Sequence, residues 1–140
     1  MMNQKFIDYF INQAIETSKL SYAKRLKVGV VAVRNNRIVL NGYNGTLEGY
    51  DNVCEYVDEN GALVTKQETY HAEENLILYA AKHGIALNDS ILFCTHQPCI
   101  HCAKMIVGVG IKRLYYRETY RLDDGLNFML KSGIDIIKLD

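Results

Sequence analysis

The chain has 140 residues, which suits one domain around one core, and 49% of them are hydrophobic, enough for a sizeable interior and too many for a disordered chain. Sixteen Lys+Arg balance sixteen Asp+Glu, so no net positive field exists to gather nucleic acid, a local basic patch aside. No apolar run approaches the ~18 residues of a membrane span, and Met1–Lys5 does not open a leader with a charged and then an apolar region.

Phe6, Ile7, Phe10, Ile11, Ala14 and Ile15 recur at helical spacing and predict an amphipathic first helix. The β-branched run Val28–Val33 predicts a buried strand, 34–37 a turn, and 38–43 the returning strand of a hairpin. From Asn44 to Tyr70 periodicity fades and Gly, Asp and Asn accumulate, which predicts a long functional or mobile loop. Helical spacing returns after His71 with Leu76, Ile77, Ala80 and Ala81, and stops at Gly84. A strand over 90–95, a helix over 99–109 and a strand over 111–116 follow. Asp123 is a candidate cap for a helix carrying Leu126, Met129 and Leu130, which ends at Gly133, and 134–137 is a last strand. The order α-β-β-α-β-α-β-α-β predicts an α/β fold, a five-stranded sheet covered on both faces. No repeat, low-complexity tract or linker divides the chain, so residues 1–140 are read as one domain.

The chemistry-bearing pattern is His71-Ala72-Glu73, then 24 intervening residues, then Pro98-Cys99-Ile100-His101-Cys102. This H-x-E…P-C-x-x-C pattern is the established signature of zinc deaminases acting on nucleobases. A catalytic zinc keeps three protein ligands and leaves one position for water, and His71, Cys99 and Cys102 are three. Cys99 and Cys102 begin a helix, where unpaired N–H groups and the macrodipole favour thiolate. Bound zinc lowers the pKa of water from about 16 towards about 7, which supplies hydroxide near neutrality for attack on the ring carbon bearing the amine. Glu73 is placed to take the water proton and pass it to the ring nitrogen and the leaving amine. The competing reading, a closed structural zinc with Glu73 as an ordinary first-turn acid, needs a fourth ligand, and His96 and His101 are candidates only by adjacency in sequence. The four cysteines, Cys54, Cys94, Cys99 and Cys102, favour metal thiolates in a reducing cytoplasm over disulfides. Cys94 reads as a small buried hydrophobe, His83 as a surface residue near a helix C-terminus, and His96 and His101 as solvent-facing flanks.

With these residues the chain resembles the cytidine deaminase superfamily and, within it, the deoxycytidylate (dCMP) deaminases, from about Ser18 to Tyr120. Arg25-Leu26-Lys27-Val28-Gly29, Gly42-Tyr43-Asn44-Gly45-Thr46 and Asn52-Val53-Cys54 are similar to the elements upstream of the zinc motif in that family. Ala103-Lys104-Met105-Ile106 and Gly110–Tyr116 also fit. Free-cytidine deaminases of the common type carry Cys where His71 stands. The resemblance implies a three-layer α/β/α fold with a mixed five-stranded sheet, one Zn²⁺ per chain, and hydrolysis of dCMP to dUMP, the precursor of thymidylate. It implies that Asn44 binds the sugar and that Arg25, Lys27 and Tyr120 lie near the phosphate, where cationic and hydroxyl donors suit a monophosphate. Their plainer readings are a solvated charged face for Arg25 and Lys27 and a common turn for Asn44-Gly45.

Many family members are hexamers activated by dCTP, with Mg²⁺ on the triphosphate, and inhibited by dTTP. The resemblance puts that allosteric site at Tyr43, Asn44, Gly45 and Gly49 and at subunit contacts, and implies a homo-oligomer in the cytoplasm of a microbe or virus-infected cell. Leu47 replaces the usual proline after Gly-Tyr-Asn-Gly-Thr, which leaves that loop less stiff. His96-Gln97 replaces the commoner Leu-Ser in a segment that presents mainly backbone. Some phage members add a second zinc near the position of Cys54; no partner ligands stand nearby, and Cys54 reads as a free loop thiol. Tyr43, Tyr70 and Tyr120 are the pocket candidates among ten tyrosines. Three rivals remain. A tRNA adenosine deaminase calls for a basic face; a riboflavin-pathway deaminase usually extends the motif and is fused to a reductase; a non-catalytic zinc nucleotide regulator has no need of Glu73.

Overall fold

The computed structural model describes residues 2–140; Met1, where the leader reading begins, lies outside them. The chain runs α1 (Gln4–Ser18), β1 (Gly29–Arg34), β2 (Arg37–Tyr43), β3 (Glu55–Val57), β4 (Leu63–Thr65), α2 (Ala72–His83), β5 (Ile91–His96), α3 (Ile100–Gly108), β6 (Arg113–Glu118), α4 (Asp124–Lys131) and β7 (Asp135–Lys138). Five strands form one mixed sheet in the order β2-β1-β5-β6-β7. The β2, β1 and β5 pairings are antiparallel; the β5, β6 and β7 pairings are parallel.

Side chains alternate across a strand, so each central strand feeds two cores. Val31, Val33, Phe93 and Tyr115 face α1 and meet Ile7, Phe10, Ile11 and Ala14. Val30, Ala32, Leu92, Cys94, Leu114 and Tyr116 face the other way and meet residues of α2, α3 and α4. This double burial explains why the central strands read as continuous apolar runs. On the α1 side Phe93 stacks on Tyr115 with ring centroids 4.5 Å apart, and Phe10 tilts onto Phe93 at 5.4 Å. One helix therefore covers one face and three cover the other. No helix among the described residues is long and apolar enough to cross a membrane.

Local chemistry sets the element ends. Asn35 and Asn36 have φ of 54° and 58°, the left-handed pair of a two-residue hairpin turn between β1 and β2. Gly84 ends α2 in the left-handed region, as the sequence predicts. Asp123 does precede α4, but its side chain makes no cap hydrogen bond, so the predicted capping role fails. The 44–70 stretch is more ordered than predicted. It contains the β3–β4 hairpin, and Glu55, buried on β3, accepts backbone N–H bonds from Lys24 (2.8 Å) and Arg25 (3.0 Å). A bridge between Gly45 and Tyr70 ties the loop's two ends together.

Candidate metal centre and active site

The sheet's pairing brings one set of strand ends to one edge. Gly29 opens β1 opposite Tyr43, the end of β2; β5 ends at His96 beside Glu118, the end of β6. The N-termini of α2 and α3 belong to this edge too, because α2 follows the Gly45–Tyr70 bridge and α3 follows β5 after three residues.

His71 sits at the N-cap of α2 in extended backbone, and its N–H donates to Glu74 Oε1 at 2.8 Å, which fixes the entry of the helix. Cys99 is the N-cap of α3 and Cys102 lies within its first turn, half-buried and buried respectively. His71 Nδ1 lies 3.3 Å from Cys102 Sγ and 3.5 Å from Cys99 Sγ. The three ligand atoms all fall within 4.8 Å of one another. A tetrahedral zinc holding nitrogen at ~2.1 Å and sulfur at ~2.3 Å separates such atoms by about 3.6 Å, so the donor set fits that ion in both type and spacing. Two helix N-termini meet at this point, and their partial positive charges favour the thiolates.

The metal-free set shares its protons unevenly. Cys99 is lowered to about 3, chiefly by the hydrogen bond from Cys102 and further by His71. Cys102 is raised above the ordinary thiol range by that same bond and by burial. His71 is raised to about 9, chiefly by its hydrogen bond to Cys99, against the effect of burial. One thiolate thus stands between two protonated partners.

Glu73 follows on the first turn of α2 and is only 4% exposed. Burial raises its pKa above the ordinary carboxylate value, while Cys102 and His71 pull it the other way. Burial thus disfavours its charged form while its neighbours favour it, the kind of tuning used for general acid–base groups.

The remaining predicted residues are placed less uniformly. Asn44 follows β2 at the same edge, but its amide is largely committed: Oδ1 accepts from Val28 N–H at 2.8 Å and Nδ2 donates to Leu26 O at 2.7 Å. Arg25 is exposed and donates to Thr65 Oγ1 at 3.2 Å, while Lys27 is exposed just before β1. Tyr120 is half-buried in the loop after β6, and the Arg121 guanidinium lies 5.7 Å from its ring centroid. His101 and His83 are exposed, the latter beside the Tyr79 ring at 4.1 Å. His96 departs from its solvent-facing prediction: it is half-buried, with Nδ1 2.8 Å from Thr95 Oγ1. Cys54 is a free thiol in the loop just before β3, as the sequence predicts, and is buried at 1% exposure. Two residues to which the sequence assigns no role support the site, Gln97 standing out there only as a departure from the family's commoner Ser. Thr95 Oγ1 accepts from Gly29 N–H at 3.0 Å, and Gln97, buried, ties the segment before Cys99 to the loop after β6.

A cavity of about 520 Å³ lies at the loop after β2, and the metal ligands are not among its lining residues. Tyr43, Asn44, Gly45 and Gly49 all line it, with Tyr22 and Tyr50.

The model of the "Cytidine and deoxycytidylate deaminase zinc-binding region" matches residues 4–118. The ComE operon protein 2 of Bacillus subtilis is 38% identical over 117 residues, 81% of this chain and 59% of that protein. The deoxycytidylate deaminase of Schizosaccharomyces pombe is 33% identical over 132 residues, 89% of this chain and 41% of that protein. The chain thus spans about half the length of these two relatives. A crystal structure of the dCMP deaminase from the cyanophage S-TIM5, in complex with dCMP and dUMP, has a TM-score of 0.92 at 37% identity and covers 99% of this chain and 100% of its own. With its zinc-binding motif folded into one His–Cys–Cys cluster beside a buried Glu73, the chain belongs to the cytidine and deoxycytidylate deaminase family.

Proposed function

We propose that this protein hydrolyses dCMP to dUMP and ammonia, with zinc held by His71, Cys99 and Cys102. The observation that carries the reading is the buried Glu73 beside that cluster, in a fold so similar to a dCMP deaminase that binds dCMP and dUMP. The metal, when bound, supplies a water acidic enough to attack near neutral pH. Glu73 receives the water's proton and returns it to the ring nitrogen next to the reacting carbon. It then takes the second proton to the departing amine, which leaves as ammonia. Burial keeps bulk water from competing for these protons. The two helix N-termini oppose loss of the thiolates' charge.

Arg25, Lys27 and Tyr120 are assigned to the phosphate, and Asn44 to the sugar through the one Nδ2 hydrogen it has left. Asn44 also holds the Leu26–Val28 strand entry in place, so it supports the Arg25 and Lys27 side as well as touching the ligand. The cavity at the loop after β2 is assigned to dCTP and dTTP as effectors, with Mg²⁺ accompanying the triphosphate. Its tyrosines offer stacking faces, and its lining includes none of the metal ligands. The protein is assigned to the cytoplasm, as its thiolate ligands need reducing conditions. Exposed Tyr50, Val53, Tyr56 and Val57 around the hairpin suit contacts between copies in a homo-oligomer, with a hexamer favoured.

The deciding assay follows ammonia release from dCMP by the zinc-loaded protein, with and without dCTP and Mg²⁺. Turnover of dCMP well above that of deoxycytidine is expected, and Arg25→Ala should lower the dCMP rate selectively. Equal loss with both substrates removes Arg25 from the phosphate; no release from either compound refutes the substrate assignment.

A further inference from the structure

The β5–β6 ladder stops at the pair His96–Glu118, and Gln97 N–H makes the next bond, to Glu118 O at 2.8 Å. The next donor towards β6 in this alternation would be Cys99, but the backbone has left the sheet by then, through Pro98, and Cys99 is the N-cap of α3. Beyond that point the Gln97 side chain takes over the pairing. Its Oε1 accepts from Tyr120 N–H at 3.3 Å and its Nε2 donates to Leu122 O at 3.1 Å. A primary amide carries the same donor and acceptor as a peptide unit, so Gln97 extends β5 sideways where its backbone must turn off towards Cys99. The residue is 4% exposed, and its three bonds go to alternate residues, 118 at the end of β6 and 120 and 122 in the loop that follows. The far end of that loop is fixed as well: a Cβ on Gly125 would lie 2.8 Å from the Cys99 carbonyl carbon and 2.9 Å from Pro98 O. The loop is therefore registered, at both ends, against the segment that carries a metal ligand.

Between those anchors the loop presents a phenol and a guanidinium. Tyr120 is half-buried, and Arg121, its cation against the Tyr120 ring, has no carboxylate partner among the described residues. Together they form the kind of donor surface that a phosphate monoester takes. We infer that Gln97 is a positioning residue for substrate specificity: its amide holds Tyr120 and Arg121 in register with Cys99 and so sets the preference for the nucleoside monophosphate over the nucleoside. This rests on the reading above that Tyr120 faces the phosphate, and adds Arg121 to it.

Gln97→Met tests it, because methionine keeps the length and apolar stem and removes both amide bonds. In the zinc-loaded protein KM for dCMP should rise about tenfold, with kcat within about twofold, as the loss of one or two hydrogen bonds to a positioned loop predicts. For deoxycytidine kcat/KM should stay within about twofold, and zinc content should remain one per chain. Combining Gln97→Met with Arg121→Gln should lose little beyond the larger single effect. Equal losses with dCMP and deoxycytidine, or lost zinc, overturn the inference and leave Gln97 as a support of the metal segment. Hydrogen exchange gives a reading independent of turnover. Gln97→Met should speed exchange in 119–123 by about tenfold and leave 100–108 unchanged, and an unchanged loop also overturns the inference. A freed loop in a protein that turns over neither compound refutes the substrate assignment and upholds the clamp.

Discussion

Burial makes the Glu73 carboxyl harder to ionise than one in water, and the neighbouring His71 and Cys102 make it easier. Those opposed effects suit a proton carrier, and they give a sharp expectation for its amide. Glu73→Gln should keep about one zinc per chain by metal analysis while kcat falls by about 10²–10⁴-fold, the scale of general acid–base catalysis. Retained turnover in that variant would sink the role. The metal ligands carry a second expectation. In the metal-free site His71 is protonated below about pH 9, Cys102 keeps its proton, and Cys99 is a thiolate above about pH 3. Zinc needs a neutral imidazole and two thiolates, so its binding near neutrality expels two protons. Apparent zinc affinity should therefore rise with pH from about 6 to 9, by up to about 100-fold per unit, and more gently above, by about tenfold per unit, where only the Cys102 proton is left to expel. Competition with a chelator across that range, with proton release followed in weak buffer, measures both numbers. Release of no protons at pH 7 contradicts this account of the site.

Two helix starts build the centre, and α4 braces one of them. Gly125 in the first turn of α4 packs on the Pro98–Ile100 backbone, where no side chain has room. Gly125→Ala should destabilise by about 1–3 kcal/mol in urea unfolding and speed zinc loss to a chelator, because neither backbone yields easily. Gly45→Ala, with open space around its Cβ position, is the matched control and should change neither. At this scale the sequence is legible where a period runs long enough to be seen. Phe6–Ile15 and the 28–33 run announce α1 and β1, and His71–Glu73 with Cys99–Cys102 announce the centre, because metal chemistry fixes residue type and spacing together. The three-residue strands β3 and β4 are too short to show alternation, and Glu55 looks like any loop acid until Lys24 and Arg25 are seen donating to it. Gln97 is hidden for a related reason: its bonds run to residues more than twenty positions away, and nothing local marks them. Asp123 misleads in the opposite direction, a good cap residue whose side chain does not bond.

The whole molecule is asymmetric about its sheet. A single helix seals one face, and Phe10, 1% exposed, is its largest fully buried side chain, in contact with the Phe93 ring. Phe10→Ala should cost about 3–5 kcal/mol in chemical denaturation, a large share of the ~5–15 kcal/mol that holds a domain together. Activity at low temperature should survive, since the metal and its ligands lie on the other face. The order of strands across the sheet also differs from their order along the chain, and this matters while the protein is being made. A ribosome delivers β1, β2 and β5 first, and these three are neighbours, so a nascent chain complete to His96 already has the whole antiparallel half to pair. It also has His71 and Glu73, but neither thiolate. Both sulfur ligands emerge only after that half-sheet is out, and the α4 brace on Cys99 later still. Synthesis therefore imposes a sequence of events: the scaffold can assemble first, the metal can be captured next, and the wall carrying Tyr120 and Arg121 is locked last.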